Sequence, residues 1–209
     1  MALVAPIPRA RQATAAPVKP GLRWTRRRPE LAAGHLEAIA AHLEQFAAEQ
    51  INAGAHAVCI ADPTATGEIL GGELFRRFAL PYLNRLARSV RQAGAPAIVH
   101  ICGDVAGLGA ELLALEADAV SFDSMVELRA IAARRPPWQV MGNVSAFLLE
   151  RGPADRVERR CRRLVRSGVR LLAPACGLVP TTPVAHLRAM RRAAGPDPAS
   201  GCAGPAAPL

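Results

Sequence analysis

Residues 93–104 read Ala-Gly-Ala-Pro-Ala-Ile-Val-His-Ile-Cys-Gly-Asp, and this stretch decides the fold. The opening "AGAP" ends a helix, since glycine stops helices and the residue before a proline is driven out of the α region. "AIVHIC" follows as a near-continuous apolar run, the pattern of a strand buried on both faces. The run closes on His100 and Cys102. Polar chemistry therefore starts where the apolar strand stops.

The same alternation repeats outward in both directions. Leu36, Ile39, Leu43, Phe46 and Ala47 recur at helical spacing, and "NAGA" at 52–55 ends that helix. "AVCIAD" (57–62) reads as a strand, and a long helix is expected from about Gly72 to Gln92, kinked at Pro81. After residue 102 come a helix "LGAELLAL" (108–115), a strand "AVSFDS" (119–124) and a short helix near Val126–Ala133. The strand "WQVMGNV" (138–144), a helix over 154–166 and the strand "RLLAPA" (170–175) follow. A last helix opens at "TTP" (181–183) and runs through His186 to about Ala193.

A helix followed by about five strand–helix units with buried strands predicts an α/β fold with a parallel sheet. Such units suit a doubly wound sheet, or the greater part of a (β/α)8 TIM-type barrel with about three units absent. In either architecture the C-terminal ends of the strands face the active site. That rule gathers Asp62, His100, Cys102, Asp123, Ser124, Asn143 and Cys176.

At 209 residues the chain suits one sizeable core. Seven of its nine net positive charges belong to residues 1–29, which carry Arg9, Arg11, Lys19, Arg23, Arg26, Arg27 and Arg28 and no acid. The remainder carries only +2, with no basic stripe interleaved with aromatics, so a nucleic-acid partner is not expected. Residues 1–30 read as a disordered Arg/Pro-rich leader, 31–194 as the domain and 195–209 as a disordered tail. The prolines oppose the amphipathic helix of a transit peptide. The five cysteines, an odd number at irregular spacing without a secretory signal, argue against a disulfide framework. No apolar stretch reaches the ~18 residues that span a bilayer. A cytoplasmic protein without a membrane partner is expected.

His100 and Cys102 are two apart, so on a strand both point to one face. Cys176 closes "LLAPA" at the end of another strand. Two soft sulfurs and an imidazole make the ligand set zinc prefers, and three protein ligands leave a fourth position for chemistry. A buried cysteine is otherwise a small hydrophobe. Cys59 inside its strand and Cys161 on the apolar stripe of its helix are read that way, and Cys202 falls in the tail. Arg156, Arg159, Arg160 and Arg163 are assigned to a solvated face, His35, His42 and His56 to the surface, and His186 to structure. Asp62, Asp123 and Asn143 are the candidate catalytic residues. The cofactor-binding residues are not legible.

Five stretches carry a family resemblance: "AGAHAVCIADPTATGEILGGELFRRFALPYL" (53–83), "IVHICGD" (98–104), "ADAVSFDS" (117–124), "VMGNVSAFLL" (140–149) and "LLAPACGLVPTTPVAHLRAM" (171–190). In this order the chain resembles the uroporphyrinogen decarboxylase superfamily, and within it the methylcobamide:thiol methyltransferase branch. The resemblance implies a barrel, a zinc held by His100, Cys102 and Cys176, and a methyl group moved from methylcobalamin or another corrinoid to a small thiol. A corrinoid carrier protein is the implied partner. Departures are present: Asn143-Val144-Ser145-Ala146 where the family has Asn-x-Asp-Pro, Ala175 for a glycine, and Thr181 for an acid. About three front strand–helix units of the family are not matched, so self-association or a partner chain completing the barrel is an expectation. The rival readings are a tetrapyrrole decarboxylase, whose N-terminal carboxylate-gripping arginine motif is not matched by this chain's "RWTRRRPELAAG" (23–34), and an inactive remnant or partner subunit.

Overall fold

The computed structural model describes residues 24–195. The expected leader lies outside the described residues up to position 23, and the expected tail beyond position 195, Cys202 included. A helical turn at residues 24–27 leads into α1 (Pro29–Asn52), whose proline sits in the first turn, where its missing N–H costs no bond. Strand β1 (Val58–Ala61) follows. Then come α2 (Gly71–Leu74), a π-helical turn (Phe75–Ala79) and α3 (Leu80–Gln92), running as one helix. The irregularity expected at Pro81 takes the form of that π turn. Proline has no N–H for the Arg77 carbonyl and crowds it, and the chain widens just ahead of it, with Leu80 N bonded to Phe75 O.

β2 (Ala97–Ile101), β3 (Ala119–Phe122) and β4 (Gln139–Met141) complete a four-stranded parallel sheet in the order β1-β2-β3-β4. Sequential order without reversal is the winding of a barrel, not of a doubly wound sheet, whose order reverses at a switch point. The chain is a partial (β/α) barrel. The expected fifth strand is present only as parallel bridges, Met141 to Leu171 and Val144 to Pro174, held by Gly142 N to Leu171 O, Val144 N to Ala173 O and Ala175 N to Val144 O. Between the strands lie α4 (Leu128–Ala133), α5 (Ala146–Arg151) and α6 (Ala154–Arg166), and α7 (Val184–Ala193) closes the chain. No helix among the described residues is long and apolar enough to cross a membrane.

The helix expected at 108–115 is instead two 3-10 turns, Ala106–Leu108 and Glu111–Ala114. Gly107 and Gly109 weaken helix propensity there. Buried Asn84 then takes the segment's exit groups: its Nδ2 donates to Ala114 O at 2.9 Å, and its Oδ1 accepts from Glu116 N at 2.9 Å. Helix α5 was not expected from the sequence; the Ser145 hydroxyl accepts from Leu148 N and starts it.

The strands have two unlike faces. Val58, Ile60, Val99, Ile101, Val120 and Phe122 join Leu83, Leu86, Ala87 and Val90 of α3 in the main core. On the opposite, concave face Cys59 is in register with Ile98, and Ile98 with Ala119, making a thin apolar row. One row further along, His100 stands beside Ser121, and Ser121 beside Met141. The concave face thus turns polar toward the C-terminal ends of the strands. An open groove of about 660 Å³ lies on the same face, between Ile98, Met141, Leu171 and Ala173.

The loop after β1 is pressed against the one after β2: a Cβ on Gly67 would meet Gly107 N at 2.7 Å and Gly107 Cα at 3.0 Å. Both obstacles are backbone and cannot swing aside. Gly67→Ala is expected to lower stability by about 1–3 kcal/mol, the usual cost of overpacking. Urea unfolding followed by circular dichroism checks this, and an unchanged midpoint would contradict it.

Candidate metal centre

His100 and Cys102 reach the same end of the concave face because they are two residues apart across the end of β2. Cys176 follows the bridge at Pro174 and arrives from the far side of β3 and β4. The three ligand-type atoms lie within 4.8 Å of one another, with the two sulfurs 3.5 Å apart. His100 and Cys102 are half-buried and Cys176 is exposed. Gly103 turns the chain at φ +129°, a conformation open to glycine, and a Cβ there would meet Thr66 Cγ2 at 2.9 Å. Gly177 carries no such demand, with nothing near its missing Cβ.

The donor set passes a chemical test of fit. His100 Nδ1 is hydrogen bonded to Ser121 Oγ at 3.0 Å, while its Nε2 is buried without a partner. A buried ring nitrogen without a partner is costly in a closed core and expected of a ligand atom. With Nδ1–H donating to Ser121, the Nε2 lone pair is free for a cation. Burial lowers the His100 pKa, against the opposing pull of Asp123, and favours the neutral imidazole that metals bind. Burial first, then the hydrogen bond and charge of Cys176 and of Asp123, push the Cys102 thiol up to about 12. A nearby cation would favour the thiolate form of a thiol so raised.

Of the candidate catalytic residues, Asp123 joins the cluster: Cys102 Sγ donates to its Oδ2 at 3.5 Å. Its Oδ1 accepts from Ser124 Oγ and Met125 N, both at 3.2 Å, so the loop holds the carboxylate in place. Ser124 reaches the site only through that bond. Asp62 directs its Oδ1 into its own turn, accepting from Thr64 N at 2.9 Å, Thr64 Oγ1 at 2.7 Å and Ala65 N at 3.2 Å. Its own N–H donates to His100 O at 2.9 Å, so it braces the strand that bears the ligands.

Asn143 is fully buried. Its Nδ2 donates to Asp123 O and to Val126 O, each at 2.8 Å, and its Oδ1 accepts from Arg160 at 3.2 Å. The side chain positions the loop that carries Asp123. Arg160 corrects an expectation, since it is half-buried and tied to Asn143 rather than spread on a solvated face. At i+3 from Val157 and i−4 from Leu164 it flanks the apolar stripe, within reach of the neighbouring strand end. Arg159 pairs with Asp155, and Arg162 and Arg192 pair with Glu158. Cys59 and Cys161 are buried packing residues, as expected. His35 and His42 sit exposed on α1, and His186 Nδ1 meets Leu149 O at 2.7 Å, joining α7 to α5.

A parallel barrel with a soft ligand cluster at the C-terminal end of its strands places the chain among the (β/α)-barrel proteins that build their sites there. The chain belongs to the uroporphyrinogen decarboxylase family, whose description, uroporphyrinogen decarboxylase (URO-D), matches residues 10–195. A methylcobamide:CoM methyltransferase of Methanosarcina mazei is 29% identical over 146 residues, covering 69% of this chain and 43% of that protein. The uroporphyrinogen decarboxylase of Anaeromyxobacter dehalogenans is 35% identical over 119 residues, covering 57% of this chain and 33% of that protein. Among solved structures, a methyltransferase from Methanosarcina mazei superposes with a TM-score of 0.80 at 26% identity, over 88% of this chain and 54% of that one. The chain spans about half or less of the length of these relatives.

Replacing Asn143 with Ala leaves the buried Val126 carbonyl, the half-buried Asp123 carbonyl and the Arg160 guanidinium without their Asn143 partner. The expected loss is about 2–4 kcal/mol, several kcal/mol being typical of a broken buried network. Chemical denaturation measures it, and a loss below about 1 kcal/mol would show that the network carries little.

Proposed function

We propose that this chain is a zinc-dependent, methyltransferase-type member of its family, serving transfer of a methyl group from a methylcorrinoid to a small thiol in the cytoplasm. The observation that carries the reading is the convergence of His100, Cys102 and Cys176, two sulfurs and an imidazole nitrogen within 4.8 Å of one another, with His100 Nε2 buried and unpartnered. Those three residues would hold the zinc. Bound there, zinc supplies Lewis acidity that lowers the pKa of a coordinating thiol and keeps a fourth position for it.

The chain's own groups have separate tasks in this reading. Ser121 engages Nδ1 and so leaves Nε2 free to serve as the ligand atom. Asp123 accepts the hydrogen bond of the Cys102 thiol and orients that sulfur, whose proton would be released on metal binding. Gly103 lets Cys102 and the Thr66 loop approach closely. Met125, Phe147 and Val184 are 62%, 76% and 60% exposed on segments that follow β3, β4 and the Pro174 bridge, at the end of the sheet where the cluster lies. Apolar side chains around a site favour delivery of the methyl donor by a corrinoid carrier protein.

Tetrapyrrole decarboxylation is the alternative within the family, and it makes no use of a soft ligand cluster. The test is metal content by mass spectrometry, followed by incubation with methylcobalamin and small thiols. Wild-type protein is expected to carry about one zinc per chain, which Cys102→Ser and Cys176→Ser lose. Ser121→Ala is expected to weaken metal affinity by about 10–100-fold, as loss of an outer-shell partner does. A thioether product that disappears on chelation supports the reading. Absence of zinc, or zinc-indifferent release of carbon dioxide from uroporphyrinogen, overturns it.

A further inference from the structure

We propose that Cys102 and Cys176 are also a redox-modification site, forming a reversible disulfide with low-molecular-weight disulfides as the oxidising substrate. The pairing itself rests on sulfur geometry alone. Its competition with a metal rests on the function proposed above.

Three observations lead to it. The two sulfurs are 3.5 Å apart, and a disulfide needs about 2.05 Å. Closing that gap requires the two side chains to turn toward one another. Exposure is unequal: Cys176 is exposed on its loop and Cys102 is half-buried behind it. A solvent-borne oxidant therefore meets Cys176 first, with Cys102 placed to resolve. The other two described cysteines, Cys59 and Cys161, are buried in β1 and α6 and stand outside the cluster.

The chemistry balances in two exchanges. Cys176 gives up its proton to water, and its sulfur attacks one sulfur of the oxidant, releasing one thiolate and leaving a mixed disulfide on Cys176. Cys102, whose thiol is hydrogen bonded to the Asp123 carboxylate, gives up its proton to water as its sulfur attacks Cys176 Sγ. The second half of the oxidant leaves as thiolate. Two protein thiols lose two electrons and two protons, and one small disulfide becomes two small thiols. Excess thiol reverses both steps. The product has no sulfur lone pair in thiolate form, so it cannot hold the cation. The same pair thus selects between a metal-loaded and an oxidised state according to the thiol poise of its surroundings.

The experiment uses the full chain with Cys202→Ser, stripped of metal by a chelator and treated with glutathione disulfide. Intact-mass and peptide mapping are expected to show loss of two hydrogens and a Cys102–Cys176 link, with Cys59 and Cys161 alkylated only after unfolding. Cys102→Ser is expected to stop at a persistent mixed disulfide on Cys176. Metal-free protein that keeps both thiols free, or that stops at the mixed disulfide with Cys102 intact, overturns the proposal. A parallel sample preloaded with zinc is expected to oxidise at least about tenfold more slowly, by mass action. Rapid disulfide formation in both samples sinks the metal reading and leaves the disulfide standing. Tight binding of one zinc, with no disulfide in the metal-free sample, does the reverse.

Discussion

The parallel ladder that holds β2 against β3 is the constraint on which everything else depends. Its register sets Val99 beside Val120 and His100 beside Ser121. Because successive residues point to opposite faces, the first pair is committed to the helix-covered core and the second to the concave side. A slip of one residue would send the imidazole into the aliphatic layer and bring a valine into the site. The burial of Val99, Val120 and Phe122, all essentially inaccessible to water, is what makes that slip prohibitive. Placement of the ligand atoms is therefore a by-product of core packing on the other side of the same strands.

The electrostatics of the site follow from where the ladder leaves it. Half-burial removes water from His100 and Cys102 and favours their neutral forms, so these two stand as uncharged groups beside one carboxylate. Such a set gains little from its own contacts. One ring nitrogen has no partner and the thiol contacts are long. It is arranged instead to stabilise something added to it, either a cation that converts thiol to thiolate or, in the oxidised state, a covalent bond between the sulfurs. The two uses exclude one another because they draw on the same electron pairs.

What could be read in the sequence was whatever follows from short period or from composition. The buried strands showed because strands covered on both faces are apolar throughout, and the His-x-Cys pair showed because a period of two is its whole geometry. The 3-10 turns at 106–114 did not show: their apolar pattern imitates a helix, while the group that ends them, Asn84, lies about thirty residues away. Helix α5 was hidden by its length of six residues. The roles of Asn143 and Arg160 were beyond reach for a related reason. A strand-end asparagine reads as a candidate for chemistry, and only the fold shows its amide engaged with two loop carbonyls and a guanidinium. Long-range polar networks have no periodicity from which to infer them.

The separation between the two sulfur ligands says how the site comes to exist. Cys102 and Cys176 are 74 positions apart, and the chain between them holds β3, β4 and three helices. Closing so long a loop in an unfolded chain costs only modestly more than closing a short one, since the entropy grows with the logarithm of length. Holding two sulfurs within 3.5 Å in a fixed orientation is the larger demand, and a flexible loop does not meet it. Here the ladder meets it strand by strand, from β2 through β3 and β4 to the bridges at Leu171 and Pro174. Each pairing places the next, and Cys176 arrives only when the last is made. The cluster is for that reason assembled from distant parts of the chain, and whatever binds or joins its sulfurs stabilises the whole run of strands between them.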